Sequence, residues 1–481
     1  MKNIVKAFIF EVKTVTSKLT KVTKVISVIS LLFSISLASY VSWIYFTPDE
    51  KMLPEVVKLL ELDKKIPDSE NIAIYGLGIR AQSDMLVAGQ AIVAAYEQSI
   101  QQRKFKEAAD IESPKVDEYL GPKPLSKLNW NNKICNLSES KCLKKYQKLE
   151  NEFNFVLSSN VELLSRYEKL KSIFNFQFPL PIDTAISDNT LSDIAKIGSY
   201  KLVGIAVNVS ISDKSNEALR SFDEESKLWR RLLAQSPTLI SKMISGRVIC
   251  EQIRLASEII LNYPELANAN SELLAGIVSP LSAKELDLEA ALAYEFKTTA
   301  SVIENSFNYV HLKNPDMNSE LPFSIIKRIG LKGFKLNASL NHAYKNHALH
   351  AYLQIQNEKQ VFNLMNKFKI LDTTNENNLM WLFSSNPIGG YLNSFNGNYS
   401  NYFLRLHDLD AYAKLVETQR QISFQKIAKK DISAFLSKLG PNLHDPYLEA
   451  PMTWNADTST LSVQSKATST AKQAPAEIIF N

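Results

Sequence analysis

The stretch VISVISLLFSISLASYVSWIYF, from Val25 to Phe46, decides how the rest of the chain is organised. It contains no charged side chain. As a helix it is long enough to cross the hydrocarbon core of a bilayer, which is roughly 30 Å thick. It therefore predicts a transmembrane helix, residues 25–46, which separates a short N-terminal segment from most of the 481-residue chain.

The charges beside this stretch predict its orientation. Six lysines precede it against one acidic residue: Lys2, Lys6, Lys13, Lys18, Lys21 and Lys24 against Glu11. Lysines near one end of a span hold that end in the cytoplasm. We therefore expect residues 1–24 to be a basic cytoplasmic segment, which could also lie as an amphipathic helix on anionic lipid. In a bacterium the anchor would lie in the inner membrane and residues 47–440 in the periplasm.

Two other interpretations of the apolar stretch stay open. Ser36-Leu37-Ala38 has the small-x-small pattern of a signal-peptide cleavage site, although the apolar run continues beyond it to Phe46. A buried helix in the core of a cytoplasmic protein is the other.

The charge balance of the chain bears on one class of partner, nucleic acid. The basic N-terminal segment accounts for the whole formal net charge of +5, so the remaining residues are neutral overall. Phosphate binding needs a concentrated basic surface, which argues against nucleic acid as a partner. We expect no cofactor. The low glycine content, 14 residues, favours a helical protein.

The cysteines agree with an exported body. Cys135 and Cys142 lie close together in NKICNLSESKCLKKY and would form a disulfide in an oxidising compartment. Cys250 stands in an apolar helical pattern and is interpreted as a small buried hydrophobic residue.

The periodicity of residues 47–440 predicts a mainly α fold in which antiparallel helical hairpins form an α-solenoid-like array or an irregular bundle. We expect one continuous helix from Cys142 to Phe174 and another over Ser215–Gln235. Ser236-Pro237 is typical of a helix start and predicts a helix to Tyr263. A capping box at Ser282–Glu285 predicts a helix to about Tyr309.

The C-terminal region changes character after Gly440. Turn residues bracket short alternating stretches, which predicts a small β-hairpin within residues 441–466. Residues 467–481 include a low-complexity run, and we expect a disordered tail there.

Two groups of residues are candidates for a site. Trp229, Arg230 and Arg231 could bind a carboxylate or phosphate group, although a core tryptophan flanked by solvated arginines fits the same pattern. His347 and His350 lie one helical turn apart and are weak candidates for metal ligands, whereas His342, earlier in the same helix, points somewhat away from them. No acidic residue in that helix completes a metal set, so we expect no metal site.

Two stretches, LWRRLLAQSPTLISKMI from Leu228 to Ile244 and DPYLEAPMTW from Asp445 to Trp454, carry a resemblance. They are similar to stretches of uncharacterised proteobacterial envelope proteins that join a single N-terminal span to a helical periplasmic region. The resemblance implies the membrane topology and no activity.

We expect a non-enzymatic, membrane-anchored protein with a scaffold or accessory role, which binds another envelope protein or peptide through the extended surface of a helical array. One alternative is a periplasmic hydrolase with its site near His342, His347 and His350. A lipid-handling or chaperone-like protein is the other.

Overall fold

The structure is a computed structural model. It describes residues 2–61, 65–103, 114–126, 128, 141–180, 191–312, 333–354, 356, 359–361, 363–364, 384–393, 399–463 and 477–480. The chain forms two compact units. The N-terminal unit consists of Met1–Val57, Ile303–Ala343 and Asn375–Asn396, and the main unit consists of Lys58–Val302, Tyr344–Thr374 and Gly397–Asn481.

The fold is mainly helical, as predicted, with an N-terminal apolar helix and a small C-terminal sheet. The helices of the described residues are α1 Lys2–Phe46, α2 Pro54–Leu60, α3 Ile72–Leu77, α4 Met85–Arg103, α5 Val116–Tyr119, α6 Cys142–Gln147, α7 Glu150–Ser159, α8 Val161–Leu170, α9 Ser192–Val209, α10 Ser215–Gln235, α11 Leu239–Asn262, α12 Pro264–Ala269, α13 Ser271–Val278, α14 Ala283–Leu286, α15 Glu289–Leu312, α16 Leu336–Gln354, α17 Pro387–Asn393, α18 Ser400–Phe424 and α19 Ile432–Leu436. The strands are β1 Thr453–Asn455, β2 Thr460–Ser462 and β3 Glu477–Ile479.

Helix α11 lies at the centre of the main unit. It packs against α9, α10 and the distant α18, and residues on all of its sides are buried. A helix buried on all sides belongs to the interior of a packed bundle. The α-solenoid-like arrangement is not shown, because α9, α10 and α11 all contact one another and α11 also contacts a helix far along the chain.

The helix bounds show where local sequence signals act as expected. Helix α10 spans Ser215–Gln235, which is the predicted range. Helix α11 begins later than predicted, because its N-cap is Thr238 and not Ser236. The Thr238 hydroxyl accepts a hydrogen bond from the Ser241 N–H, whereas the Ser236 hydroxyl donates to the Leu232 carbonyl and so closes α10.

The predicted continuous helix from Cys142 to Phe174 is wrong. The segment forms three helices, α6, α7 and α8, of which α7 and α8 meet at Asn160. The Asn160 side-chain amide donates to the Val156 carbonyl at 2.9 Å, so the side chain takes an acceptor at the end of α7. Asparagine competes in this way with backbone hydrogen bonding and favours a break in a helix.

The capping box at Ser282 forms, but it opens only the one-turn helix α14. The chain then continues in extended backbone at Asp287. The Asp287 carboxylate accepts a hydrogen bond from the Glu289 N–H at 2.8 Å, and the long helix α15 begins there.

The C-terminal hairpin contains one strand more than predicted. Strands β1 and β2 pair antiparallel, and β3 pairs with β2 on its other side. Residues 477–480 were expected to be disordered, so that part of the prediction is wrong. Burial accounts for the added strand, because Ile478 lies opposite Leu461 in a register that buries both side chains.

Candidate functional site

Helix α1 contains the feature of the chain that bears most directly on function. Thr23–Phe46 is 24 residues long with a mean hydropathy of 2.0, and its most apolar window is not buried against protein at all. Its large apolar side chains are exposed from Val25 to Leu37, and Trp43, Tyr45 and Phe46 are exposed at its end. One N-terminal helix is therefore long and apolar enough to span a membrane, and a signal sequence has the same properties.

The last two turns of α1 are integrated into the N-terminal unit. Ile44 is buried, and Tyr40, Val41 and Thr47 are half-buried. These positions recur at helical spacing and form one face. The Tyr40 hydroxyl donates to the Ser384 carbonyl at 3.4 Å.

Directly after α1, the Asp49 carboxylate caps the start of α16. Its Oδ2 accepts from the Asn337 N–H at 2.9 Å and its Oδ1 accepts from the Ala338 N–H at 3.0 Å. These donors lie in the first turn of the helix, where backbone N–H groups lack a partner within the helix. A carboxylate there satisfies them and also meets the positive end of the helix dipole.

Two asparagines of α16 complete this arrangement, which we call the exit clasp (Asp49, Glu50, Asn337 and Asn341). The Asn337 side-chain amide donates to the Glu50 carbonyl at 2.9 Å. Asn341 donates to the Lys51 carbonyl at 2.9 Å and accepts from the Leu53 N–H at 2.9 Å. The chain that leaves the apolar helix is thus held by side-chain and backbone hydrogen bonds over several successive residues.

The predicted binding residues lie in three different environments. Trp229 is fully buried, and its indole N–H donates to the Tyr167 hydroxyl at 3.1 Å. Gly198 of α9 gives the ring space, since a Cβ at that position would overlap the indole. Trp229 is therefore a core residue and presents no surface to a ligand.

The two arginines contact protein groups. Arg230 donates to the Ser279 and Pro280 carbonyls, each at 2.9 Å, and pairs with Glu285 at 2.8 Å. Arg230 thereby joins α10 both to the segment between α13 and α14 and to α14 itself. Arg231 donates to the Lys171 carbonyl at 3.0 Å and lies over the Phe174 ring. The structure does not bring the three predicted residues together as one cationic site.

Trp229 instead belongs to a buried polar cluster, which we call the Glu225 network (Tyr167, Lys171, Glu225 and Trp229). The Tyr167 hydroxyl donates to Glu225 Oε2 at 2.7 Å, and Lys171 Nζ lies 2.7 Å from Glu225 Oε1. Burial raises the pKa of Glu225, although Lys171 opposes this effect. Burial and the adjacent Glu225 carboxylate raise the pKa of the Tyr167 hydroxyl well above its usual value. The cluster is a structural ion pair among packed helices.

His347 and His350 lie on helix α16, and the rings of both contact other parts of the protein. One His350 nitrogen, Nδ1, bonds to the Asn346 carbonyl at 2.8 Å, and Nε2 accepts from the Tyr399 N–H at 3.2 Å. Both ring nitrogens are thus engaged with backbone. Burial lowers the pKa of His347, whose ring lies 5.5 Å from that of Phe296. His342 falls in the N-terminal unit, whereas these two fall in the main unit.

The structure describes two of the three cysteines, Cys142 and Cys250. Cys250 is buried in α11, and burial raises the pKa of its thiol to about 12. Cys142 is buried at the start of α6, where Glu258 of α11 accepts from its N–H at 2.9 Å. Cys135 lies outside the described residues, so the disulfide stays a prediction.

Comparison with protein families, with curated proteins and with solved structures finds no match to this chain. The geometry must therefore carry any functional conclusion. The residues that sequence reasoning missed are those of the exit clasp. Their only local signal in the sequence is the acidic pair Asp49-Glu50, directly after the apolar stretch. The contact itself has no local signal, because Asp49 and Asn337 are 288 positions apart.

Proposed function

We propose that this chain is a single-pass inner-membrane protein whose helical body lies in the periplasm and binds another envelope protein or peptide. The observation that carries the proposal is the exposed apolar helix α1, whose exit is held to the N-terminal unit by the exit clasp. A flexible linker after the helix would allow the body to move freely. The hydrogen-bonded exit instead favours an N-terminal unit held at the membrane surface.

The lysine ladder supports the orientation, since it favours a cytoplasmic N-terminus. The predicted pair of Cys135 and Cys142 supports the same compartment. The resemblance to proteobacterial single-span proteins belongs to this proposal as well.

The surface that we propose for the protein partner is the apolar elbow between α7 and α8 (Phe155, Leu157 and Val161). The three residues are 72%, 41% and 63% exposed. Residues 153–161 contain no charged side chain. The hydroxyls of Ser158 and Ser159 donate to the Phe155 carbonyl, which leaves the apolar groups to define the surface.

Exposed aromatic and aliphatic residues close together in the chain, here on both sides of the α7–α8 junction, are candidates for a protein-binding surface. Exposed Glu150 and Glu152 precede the elbow on α7. This arrangement favours a partner segment with an apolar centre and basic residues beside it, because opposite charges across an interface orient and select the partner.

A photo-crosslinking amino acid at Phe155 of the full chain in intact bacterial cells tests the binding role. We expect one discrete polypeptide adduct, which disappears when Leu157 and Val161 are both changed to serine. The matched control places the same amino acid at exposed Glu224 of α10, where we expect no such adduct. Equal adducts at both positions, or adducts to lipid alone, would contradict the proposal.

Topology is tested separately, with a reporter fused after Asn481 that is active only in the periplasm. Activity there supports the orientation. A reporter that works only in the cytoplasm would overturn it, whatever the crosslinking shows. Alkylation without reductant adds a second measurement, since thiols that react at both Cys135 and Cys142 would count against a periplasmic body.

The hydrolase alternative receives no support from His350. His350 uses both ring nitrogens for backbone hydrogen bonds, and a general base needs one of them for substrate.

A further inference from the structure

A cleft of about 300 Å³ opens in the main unit where α11, α12, α18 and the end of β3 meet. Most of its wall is apolar, formed by Ile260, Leu261, Pro264, Ile422, Ile427, Ile432 and Phe480. Gln419 also borders it, but the Gln419 amide exchanges hydrogen bonds with Ser257, at 2.7 Å and 3.2 Å. The lining of the cleft is therefore mainly apolar.

Two lysines are the charged residues of this cleft. Lys426 and Lys429 are both exposed. Lys429 donates to the Ser459 hydroxyl at 3.2 Å, which is a neutral partner. Among the residues that the structure describes, neither lysine pairs with an acidic side chain. The cleft thus combines an apolar interior with positive charge.

Lys426 occupies a backbone position that ordinarily favours glycine. Helix α18 ends in a Schellman motif, in which the Ile427 N–H donates to the Ile422 carbonyl at 3.0 Å and the Lys426 N–H donates to the Ser423 carbonyl at 3.1 Å. Lys426 is the left-handed residue of the motif, with φ 52°. A side chain there is strained relative to glycine.

Two residues of the Schellman motif also form part of the cleft wall. Ile422 and Ile427, whose backbones are joined by the closing hydrogen bond, both line the cleft. A lysine in a strained backbone position beside an apolar cleft is a local departure from the favoured residue type, and such departures concentrate at functional sites. A lysine near a helix C-terminus also complements the helix dipole, and the test below separates these two roles.

We propose that this cleft binds a single-chain anionic amphiphile, with the alkyl chain inside and the acidic head group beside Lys426 and Lys429. The site involves none of the residues of the α7–α8 elbow and is independent of the protein partner. Apolar lining with a few placed polar groups is the usual chemistry of small-molecule sites.

The volume agrees with one alkyl chain. It is about twice the roughly 150 Å³ of an apolar cavity that holds benzene. It also lies at the lower end of the range for ligand pockets, about 300–1,000 Å³.

The experiment uses the full-length protein in phosphatidylcholine nanodiscs with a 12-carbon fatty acid that carries a photoreactive diazirine near its methyl end. We expect labelled peptides from α18, α19 or the segment that contains Phe480, with labelling competed by dodecanoate and much less by its methyl ester. Nanodiscs with protein whose two lysines are changed (K426Q with K429Q) should need about fivefold to tenfold more probe, as expected for two exposed charge contacts.

Lys426→Gly separates binding from stability. Glycine relieves the left-handed strain, so this variant should unfold at a higher urea concentration and still bind the probe severalfold more weakly. Unchanged binding by this variant and the double glutamine variant would overturn the assignment of the head group. Labelling of α1 alone would overturn the site, because the probe would then report only its partition into the bilayer. A peptide with an apolar C-terminal residue that displaces the probe far better than dodecanoate would overturn the lipid class.

Discussion

Replacement of Glu225 by glutamine tests whether the Glu225 network is an interior ion pair that the main unit requires. The Glu225 side chain is 1% exposed, and it contacts both Lys171 and the Tyr167 hydroxyl. Glutamine has the same shape, but it presents one oxygen and one NH₂ group where the native residue presents two acceptors. Either Tyr167 or Lys171 then faces a second donor.

The magnitude follows from these contacts. Removal of one partner from a buried ion pair costs about 3–5 kcal/mol, because the other charge stays buried. Lys171 keeps a second acidic contact, with Glu168 Oε2 at 2.8 Å, and its side chain is 17% exposed. Both facts reduce the penalty. We therefore expect Glu225→Gln to lower the free energy of unfolding by about 2–3 kcal/mol.

The neighbouring residue gives a matched control. Glu224 undergoes the same chemical change, but its side chain is 64% exposed and lies 3.7 Å from Lys171. Exposed pairs contribute about 0–1 kcal/mol. Urea unfolding of the full-length protein in detergent, followed by circular dichroism, should thus separate Glu225→Gln from Glu224→Gln by about 2 kcal/mol.

A double-mutant cycle with Lys171→Met locates the effect in the pair. We expect the double variant to recover much of the loss, with a coupling energy of about 1–2 kcal/mol. Equal costs for the two glutamine variants would refute the reasoning. Strict additivity in the cycle would show that the loss has a source other than the contact between Glu225 and Lys171.

Three further predictions concern other parts of the chain. Burial lowers the pKa of Lys242 from 10.5 to about 8, so the folded chain releases a proton that the unfolded chain keeps. Relative to Lys242→Met, the native protein should therefore gain about 3 kcal/mol in urea unfolding as pH rises from about 7 to about 10.5. Gly89→Ala should cost about 2 kcal/mol or more, because its Cβ would overlap the Ile74 carbonyl, whereas Gly276→Ala meets its nearest atom at 3.4 Å and should stabilise α13 slightly. Asp49→Ala should cost about 0.5–2 kcal/mol and speed amide hydrogen exchange in the first turn of α16, which mass spectrometry measures, and unchanged exchange would contradict its capping role.

The parts of the fold that sequence predicted are those with strong local contrast. Helix α10 repeats buried apolar positions such as Leu219, Phe222 and Leu232 at helical spacing, and its predicted bounds match the structure. The capping box at Ser282 is a short-range signal and forms as expected. The apolar helix that ends at Phe46 is distinguished by its length and its lack of charge.

Central helix α11 shows why other parts were beyond sequence reasoning. Lys242, Glu251 and Arg254 are all buried there, although such residues ordinarily mark an exposed face. The partners of Lys242 and Glu251 lie in other helices or in other turns of α11. Lys242, for example, donates to the Leu233 carbonyl of α10 at 2.8 Å. A charge pattern along one helix cannot reveal which charges a neighbouring helix covers.

Strand β3 and the exit clasp show the same limitation over longer distances. Glu477–Ile479 is too short to predict as a strand from its own residues, and pairing with β2 supplies the missing hydrogen bonds. The Asp49 cap depends on a helix that begins at Leu336. No local feature of either segment indicates the other.

Two stretches from which the sequence led us to expect a resemblance, Leu228–Ile244 and Asp445–Trp454, are both structural in this fold. Arg230 binds backbone carbonyls after α13, and the Tyr447 hydroxyl donates to Asp408 of α18 at 2.6 Å. Each contact joins segments far apart in the chain, so these two stretches contribute to packing. Binding then has to be sought on exposed residues such as Phe155 and Lys426. Substitutions at Arg230 and Tyr447 should change stability first, whereas substitutions at Phe155 and Lys426 should change binding without loss of stability.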